Sequence, residues 1–157
     1  MKIRSVSLAI IKRNDCILVE EIQYPGIPTT YYRPIGGTIE FGENSTQTLI
    51  RELREELNQE VEEPILISVI ENIFGVGKEI GHEIDFIYEV RFKDRSQYDR
   101  EEIDGKEGAA EYKATWKPIQ YFLETREQVK LIPDGLLQLL TKQYGTNTRS
   151  IKHIKTK

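Results

Sequence analysis

The sequence has very little cysteine and histidine. Its 157 residues include one cysteine, Cys16, and two histidines. A single cysteine excludes an internal disulfide framework, and so few thiol and imidazole groups leave no Cys/His metal cluster. Because Cys16 lies in the apolar stretch CILV, we expect it to be a small buried core residue.

The sequence also lacks a long apolar run and an excess of positive charge. The N-terminal stretch MKIRSVSLAIIKRND is too short and too interrupted for a signal peptide or a membrane span. Lys and Arg total 22 against 26 for Asp and Glu, which gives a net charge of -4 and no general affinity for nucleic-acid backbones. We therefore expect a cytoplasmic protein without a membrane or nucleic-acid partner. The sequence is compatible with a homodimer.

The length and the order of elements predict one domain with a mixed α/β architecture. With 157 residues and 38% hydrophobic content, the chain fits a single globular domain over residues 1–157. The basic stretch 146–157 is expected to be a flexible tail. Strands and helices mix without regular βαβ alternation, which favours an α+β fold, an α/β/α sandwich with a mixed sheet.

Apolar runs and turn residues predict the individual elements. We expect a hairpin of strands over residues 2–12 and 16–23, a turn at Gly36-Gly37, a second hairpin over 65–74 and 82–92, a strand ending at Pro118, a helical turn over 121–125 and a final helix opening at Pro133. The polar segment 93–108 has no periodicity and is expected to be a long loop.

One helix has unusually clear boundary signals. Asn44 is a good N-cap with Gln47 three residues on, and Asn58 tolerates the left-handed conformation that ends many helices. At 100° per residue, one arc holds the apolar residues expected to dock on the sheet, which are Leu49, Ile50, Leu53 and Leu57. An adjoining arc of the helix holds Glu52, Glu55 and Glu56.

These clustered carboxylates allow two interpretations. They could form a solvated helix face that Arg51 and Arg54 partly neutralise. Alternatively, carboxylate oxygens suit hard cations such as Mg²⁺ or Mn²⁺, which commonly bind together with substrate phosphates. Glu43 just ahead of the helix adds another carboxylate, and the sequence has no GxxxxGK[ST] loop or GxSxG elbow. The pattern therefore favours metal-assisted phosphate chemistry.

The same stretch, GTIEFGENSTQTLIRELREELN, resembles the Nudix box. The residues at the required spacing are Gly37, Glu43, Arg51, Glu52, Leu53, Glu55 and Glu56. The chain departs from the box at Asn58, where glycine is usual, and at Gln59, where an aliphatic residue is usual, with Val61 as a replacement anchor. The resemblance implies a MutT-like Nudix hydrolase fold with the box as a loop–helix–loop.

The resemblance also implies roles for the residues of the box. Glu52, Glu55 and Glu56 would be the principal metal ligands, with Arg51 orienting them and Glu43 contributing directly or through water. The cofactor would be Mg²⁺, with Mn²⁺ as a substitute. Glu55 or a loop glutamate would take the proton of the attacking water. For the loop carboxylate we nominate Glu107 and Glu111, which precede Trp116.

The implied reaction is hydrolysis of a nucleoside diphosphate linked to another moiety. The substrate could be a canonical or oxidised nucleoside triphosphate, or a nucleotide sugar such as ADP-ribose. We expect Arg33, Gly36, Gly37 and Tyr32 to contact it, and selectivity to lie in loops 24–32 and 93–111. Two alternatives stay open: a non-catalytic nucleotide-binding module on the same fold, and an isomerase, although the latter would need a catalytic cysteine and Cys16 lies in an apolar strand.

Overall fold

The computed structural model describes residues 2–142 and 151–155. The strands are β1 Arg4–Ile10, β2 Lys12–Arg13, β3 Cys16–Gln23, β4 Thr30–Thr38, β5 Ile65–Val76, β6 Glu79–Glu89, β7 Glu102–Glu107, β8 Ala110–Pro118, β9 Val129–Leu131 and β10 Ile151–Lys155. The α-helices are α1 Ser45–Leu57, α2 Ile119–Glu124 and α3 Leu136–Thr141, and a 3₁₀ helix spans Arg95–Asp99. None of the helices in these residues is long and apolar enough to cross a membrane.

The strands form one mixed sheet that is covered on both faces. Its order is β10-β5-β6-β1-β4-β3-β8-β7, with β1 parallel to β6 and antiparallel to β4. Alternate residues of β1 point to opposite faces, so Leu8 joins the core cluster that contains α2 and α3, and Ala9 joins the cluster that contains α1. The predicted α/β/α sandwich is therefore confirmed.

Helix α1 has the predicted caps. The Asn44 side chain accepts a hydrogen bond from the Gln47 backbone N–H at 2.9 Å, and the Gln47 side chain accepts one from the Asn44 N–H at 3.0 Å. Asn58 has φ 53° and ψ 40°, the left-handed conformation expected there. Val61 is buried against the α1 cluster and bridges to Phe92, as expected of a replacement anchor.

The glycine pair lies inside a strand, so the predicted turn at Gly36-Gly37 is wrong. Strand β4 is shared: residues 30–34 pair with β3 and residues 35–38 pair with β1. A Cβ on Gly36 would lie 2.0 Å from the backbone oxygen of Ser7. The glycine is therefore needed for close approach of two strands rather than for a reversal of the chain.

Several other predictions need correction. The first hairpin is limited to β2 and β3, because β1 pairs with β4 and β6 instead. The expected loop 93–108 contains the 3₁₀ helix and β7, which pairs with β8. The final helix begins at Leu136 rather than Pro133, because its N-cap is Gly135, whose φ of 89° is not helical. Cys16 is only half-buried.

The predicted basic tail falls partly outside the described residues. Residues 146–150 and 156–157 are not described. Within the tail, Ile151–Lys155 form β10, which pairs in parallel with residues 69–73 of β5.

The second predicted hairpin is confirmed. Its turn is tighter than expected, because the pairing of β5 with β6 continues as far as the pair of Val76 with Glu79.

Candidate active site

Arg51 links the carboxylates of the loop before α1 to those on the helix. Its Nε and Nη2 donate to the two oxygens of Glu43 at 2.8 and 2.9 Å, and its Nη1 donates to Glu52 at 3.0 Å and to Glu55 at 3.2 Å. Hydrogen bonds from Arg51, then from Thr48, lower the pKa of Glu43 to about 2. Glu43 is therefore a permanent anion whose two oxygens are already occupied.

Strand β4 approaches α1 directly at Glu52. A Cβ on Gly37 would lie 2.2 Å from Oε1 of Glu52, so only glycine leaves room for this carboxylate. Burial raises the pKa of Glu52, and the charge and hydrogen bond of Arg51 oppose that rise. Gly37 of the box thus allows the Glu52 carboxylate to lie against β4, because it has no side chain.

Glu56 is the most buried carboxylate of α1. Only 6% of the residue is exposed, and Tyr112 of β8 donates a hydrogen bond to its Oε2 at 3.2 Å. Burial, followed by the nearby charges of Glu20, Glu52 and Glu107, raises the pKa of Glu56 to about 8. The site therefore concentrates more negative charge than its own side chains neutralise.

A second buried carboxylate, Glu20 of β3, lies beside this group. Both Nε and Nη2 of Arg33 donate to its Oε1, at 3.1 and 2.8 Å. Burial raises the pKa of Glu20, with the Arg33 charge opposing it. Because β3 and β4 pair Glu20 opposite Arg33, the strand register fixes this ion pair at the edge of the carboxylate group.

A cleft of about 670 Å³ opens over these residues, and we call it the carboxylate cleft. The predicted site residues that line it are Arg33, Gly36, Gly37, Glu52, Glu55, Glu56 and Glu107. Lys106 and Arg4 add positive charge to its walls. Glu111 lies elsewhere, in a neighbouring groove between α1 and the β7–β8 hairpin. Tyr32 also lies outside the cleft: it is buried in the α2–α3 core cluster, and its hydroxyl donates to Glu21.

A smaller pocket adjoins the carboxylate cleft, and we call it the side pocket. Its volume is about 240 Å³, and Val6 and Arg33 line both cavities. Its walls include the aromatic residues Tyr24, Tyr31 and Phe74. Tyr24 and Tyr31 pack edge to face with ring centroids 5.4 Å apart. The two cavities together offer a charged end and an aromatic end.

Sequence reasoning missed Glu20, Tyr112 and Lys106. Glu20 stands in an ordinary strand pattern, VEE, and nothing in that pattern distinguishes a buried glutamate from a solvated one. Tyr112 and Lys106 belong to the segment mistaken in part for a loop. The alternation of exposed and buried positions over Glu102–Gly105 was a signal for β7, but the glycine at the second buried position and the charged pair after it obscured that signal.

Known proteins resemble this chain in sequence and in fold. The family model of the NUDIX domain matches residues 1–133. No curated protein gives a match to the chain. The mutator MutT protein of Bacillus halodurans superposes with a TM-score of 0.64 at 17% identity, covering 97% of this chain and 89% of that one.

Two further solved structures share the fold. The MutT NUDIX hydrolase of Burkholderia pseudomallei gives a TM-score of 0.62 at 18% identity, over 91% of this chain and 98% of that chain. An ADP-ribose pyrophosphatase of Streptococcus suis gives 0.56 at 12% identity, over 96% and 98%. With the family model matched over most of its length, and with box residues gathered at one cleft, this chain belongs to the NUDIX domain family.

Proposed function

We propose that this protein is a Mg²⁺-dependent pyrophosphohydrolase that cleaves the diphosphate linkage of a nucleoside diphosphate joined to another moiety. The observation that carries the proposal is the group of Glu52, Glu55 and Glu56 beside the cationic Arg33 in a single cleft. Nudix hydrolases are generally dependent on divalent metals, and the fold alone does not select among their substrates.

The residues present fit a divalent cation. Burial raises the pKa of both Glu52 and Glu56. The charges of Glu55 and Glu107 raise the pKa of Glu52 further, and the charges of Glu20, Glu52 and Glu107 do the same for Glu56. A hard cation would relieve this repulsion. In residues 2–142, no three acidic, histidine or cysteine side chains already form a metal-binding group. Glu55, with 60% of its side chain exposed and one hydrogen bond to Arg51, has the freedom to complete one.

Each remaining residue has a task in this proposal. Glu52, Glu55 and Glu56 would hold the cation, which supplies charge neutralisation for the diphosphate and activation of water. Arg51 keeps Glu52 and Glu55 oriented, and Glu43 keeps Arg51 in place. Arg33 and Lys106, which both line the cleft, would contact phosphate oxygens.

Glu55 is the proposed acceptor of the proton from the attacking water. It is exposed in the cleft, whereas Glu56 is buried and Glu43 is fully occupied by Arg51 and Thr48. Glu107 lines the same cleft and is the second candidate, whereas Glu111 lines only the neighbouring groove. A positioned general base contributes a factor of roughly 10²–10⁴ in rate.

The test is a panel of nucleoside triphosphates, nucleotide sugars and dinucleotides incubated with Mg²⁺ and analysed by mass spectrometry of the products. We expect cleavage between two phosphorus atoms and incorporation of solvent oxygen. Glu55→Gln and Glu56→Gln should each lower kcat by about a hundredfold or more. Glu60→Gln is the matched control, because Glu60 is exposed just beyond α1 and pairs with Arg54. Nucleotide binding without turnover across the whole panel would instead support a non-catalytic module.

A further inference from the structure

Among the residues that the structure describes, two buried side-chain oxygen atoms of the side pocket have no hydrogen-bond partner. They are Oδ1 of Asn72 on β5 and Oδ2 of Asp85 on β6. Asn72 is 4% exposed and Asp85 is 1% exposed. Buried polar atoms without partners are costly and rare in folded proteins, so a pair of them in one pocket calls for a ligand that supplies the missing donors.

The strand register brings the two side chains to the same place. Asn72 pairs with Glu83, and Ile70 pairs with Asp85, so Asn72 and Asp85 are diagonal neighbours on adjacent antiparallel strands. Diagonal neighbours on one face of a sheet lie within reach of a single planar ligand. Two acceptors side by side are matched by a ligand edge that carries two neighbouring N–H donors.

We propose that the side pocket binds the base of the substrate and that Asn72 and Asp85 select guanine. This inference rests on the proposed function, which places the diphosphate in the carboxylate cleft. Guanine carries a ring N–H beside an amino group on one edge. Adenine and cytosine instead place a ring acceptor beside their amino group, and uracil offers one N–H between two carbonyl oxygens. Only guanine among these bases satisfies both oxygens.

The walls of the side pocket suit a flat heterocycle. Tyr24 is 45% exposed, so one of its surfaces remains available for stacking. Phe74 is held against Gly81, where a Cβ would lie 2.4 Å from the Phe74 ring. The volume of about 240 Å³ is below the roughly 300–1,000 Å³ of pockets for drug-sized molecules. The space therefore suits one base rather than an entire nucleotide.

The continuity of the two cavities places the rest of the nucleotide. Val6 and Arg33 line both the side pocket and the carboxylate cleft. Arg4, which lines the cleft, forms an ion pair with Glu83, which lines the side pocket. A base in the side pocket can therefore continue into phosphates that lie beside Arg33.

Calorimetric titration of the whole protein with GDP, IDP, ADP and UDP in EDTA tests base selection without hydrolysis. IDP differs from GDP only by the missing amino group. We expect GDP to bind at least about tenfold more tightly than IDP, ADP or UDP, because each of these leaves an acceptor unpaired. Equal affinities for GDP and IDP, or no binding of GDP, would overturn the inference.

Two variants then assign the selectivity to its residues. Asn72→Leu and Asp85→Asn should each reduce the preference for GDP over ADP by about tenfold, with thermal unfolding measured to establish that each variant is folded. Asp104→Asn is the matched control, since Asp104 is an exposed aspartate on β7 that forms an ion pair with Lys113. An unchanged preference in both folded variants would contradict the assignment.

Hydrolysis of GTP and ITP in Mg²⁺ separates this inference from the proposed function. Turnover of both nucleotides with equal kcat/KM would leave the hydrolase proposal standing and remove guanine selection. Selective binding of GDP without turnover of any nucleotide would support guanine selection and remove the hydrolase proposal.

Discussion

Gly37 and Glu52 are in a contact that no other residue at position 37 would allow. The backbone of β4 passes so close to α1 that a Cβ on Gly37 would lie 2.2 Å from one oxygen of Glu52 and 2.9 Å from the other. Several glycines of the described residues have a positive φ, such as Gly26 and Gly42, but Gly37 acts through the space that it leaves beside a carboxylate. The position of Glu52 therefore depends on the backbone of a different element.

Gly37→Ala should displace Glu52 and lower activity without unfolding the protein. A misplacement of about 1 Å at a catalytic site can reduce the rate by about a hundredfold. We expect a loss of kcat of that order, measured on the best substrate of the panel at saturating Mg²⁺. Glu60→Gln is the control, because Glu60 pairs with Arg54 just beyond α1 and lines neither the carboxylate cleft nor the side pocket. Equal kcat values for the two variants would refute the role of this contact.

Tyr112→Phe should weaken the apparent affinity for Mg²⁺. The Tyr112 hydroxyl donates to Glu56, so its loss leaves this buried carboxylate with one donor fewer. Partners that orient metal ligands typically change metal affinity by about 10–100-fold when removed. We expect the Mg²⁺ concentration for half-maximal rate to rise by about tenfold, with a smaller effect on the maximal rate. Tyr121→Phe, on the opposite face of the sheet in the α2–α3 cluster, should change neither quantity.

Asp85→Asn should stabilise the protein at high pH. Burial, then the charge of Glu83, raises the pKa of Asp85 from 3.8 to about 7. Well below pH 3.8 the aspartate is protonated in both the folded and the unfolded state. As pH rises towards 7 and above, the unfolded state ionises first, so the wild type loses up to roughly 4 kcal/mol that an uncharged asparagine does not lose.

Urea unfolding at pH 4 and pH 8 measures this effect. The difference in unfolding free energy between Asp85→Asn and the wild type should be larger at pH 8 than at pH 4. Asp104→Asn should show the opposite sign, because Lys113 lowers the pKa of Asp104 and stabilises its charged form as pH rises. A difference for Asp85→Asn that does not vary with pH would contradict the raised pKa.

Asn58 should tolerate glycine but not alanine. Its φ of 53° lies in the left-handed region, which costs other residues roughly 1–2 kcal/mol. We therefore expect Asn58→Ala to lower the unfolding free energy by about 1 kcal/mol and Asn58→Gly to change it by less than half as much. Urea denaturation gives both values. An alanine variant as stable as the wild type would show that the end of α1 relaxes to another conformation.

The parts of the fold that were predictable are those determined by local sequence. The caps of α1 are an example, because Asn44 and Gln47 satisfy each other within one turn of helix. The glycine pair of β4 was misread because its role depends on Ser7 and Glu52, which are distant in sequence. No local pattern reports a close approach between two separate strands or between a strand and a helix.

The same distinction applies to the candidate site. The site residues of α1 could be predicted from the sequence because the box fixes their spacing. The structure places Glu52, Glu55 and Glu56 in one cleft. Glu20 could not be predicted as a site residue from the sequence. It is buried beside the site only because β3 pairs it with Arg33 and packs it near Glu56. Asn72 and Asp85 likewise become a pair only when β5 and β6 are in register.

Strand β4 is divided between two halves of the sheet and runs from the side pocket to the carboxylates of α1. Tyr31 lines the side pocket, Arg33 lies where the cavities meet, and Gly37 touches Glu52. At about 3.3 Å per residue, the strand covers about 20 Å between Tyr31 and Gly37. Inserting or deleting a residue in this interval would change the distance between the base site and the metal carboxylates. With the base and the cation at their proposed sites, the length of β4 would set which phosphorus atom of a bound nucleotide is presented for attack.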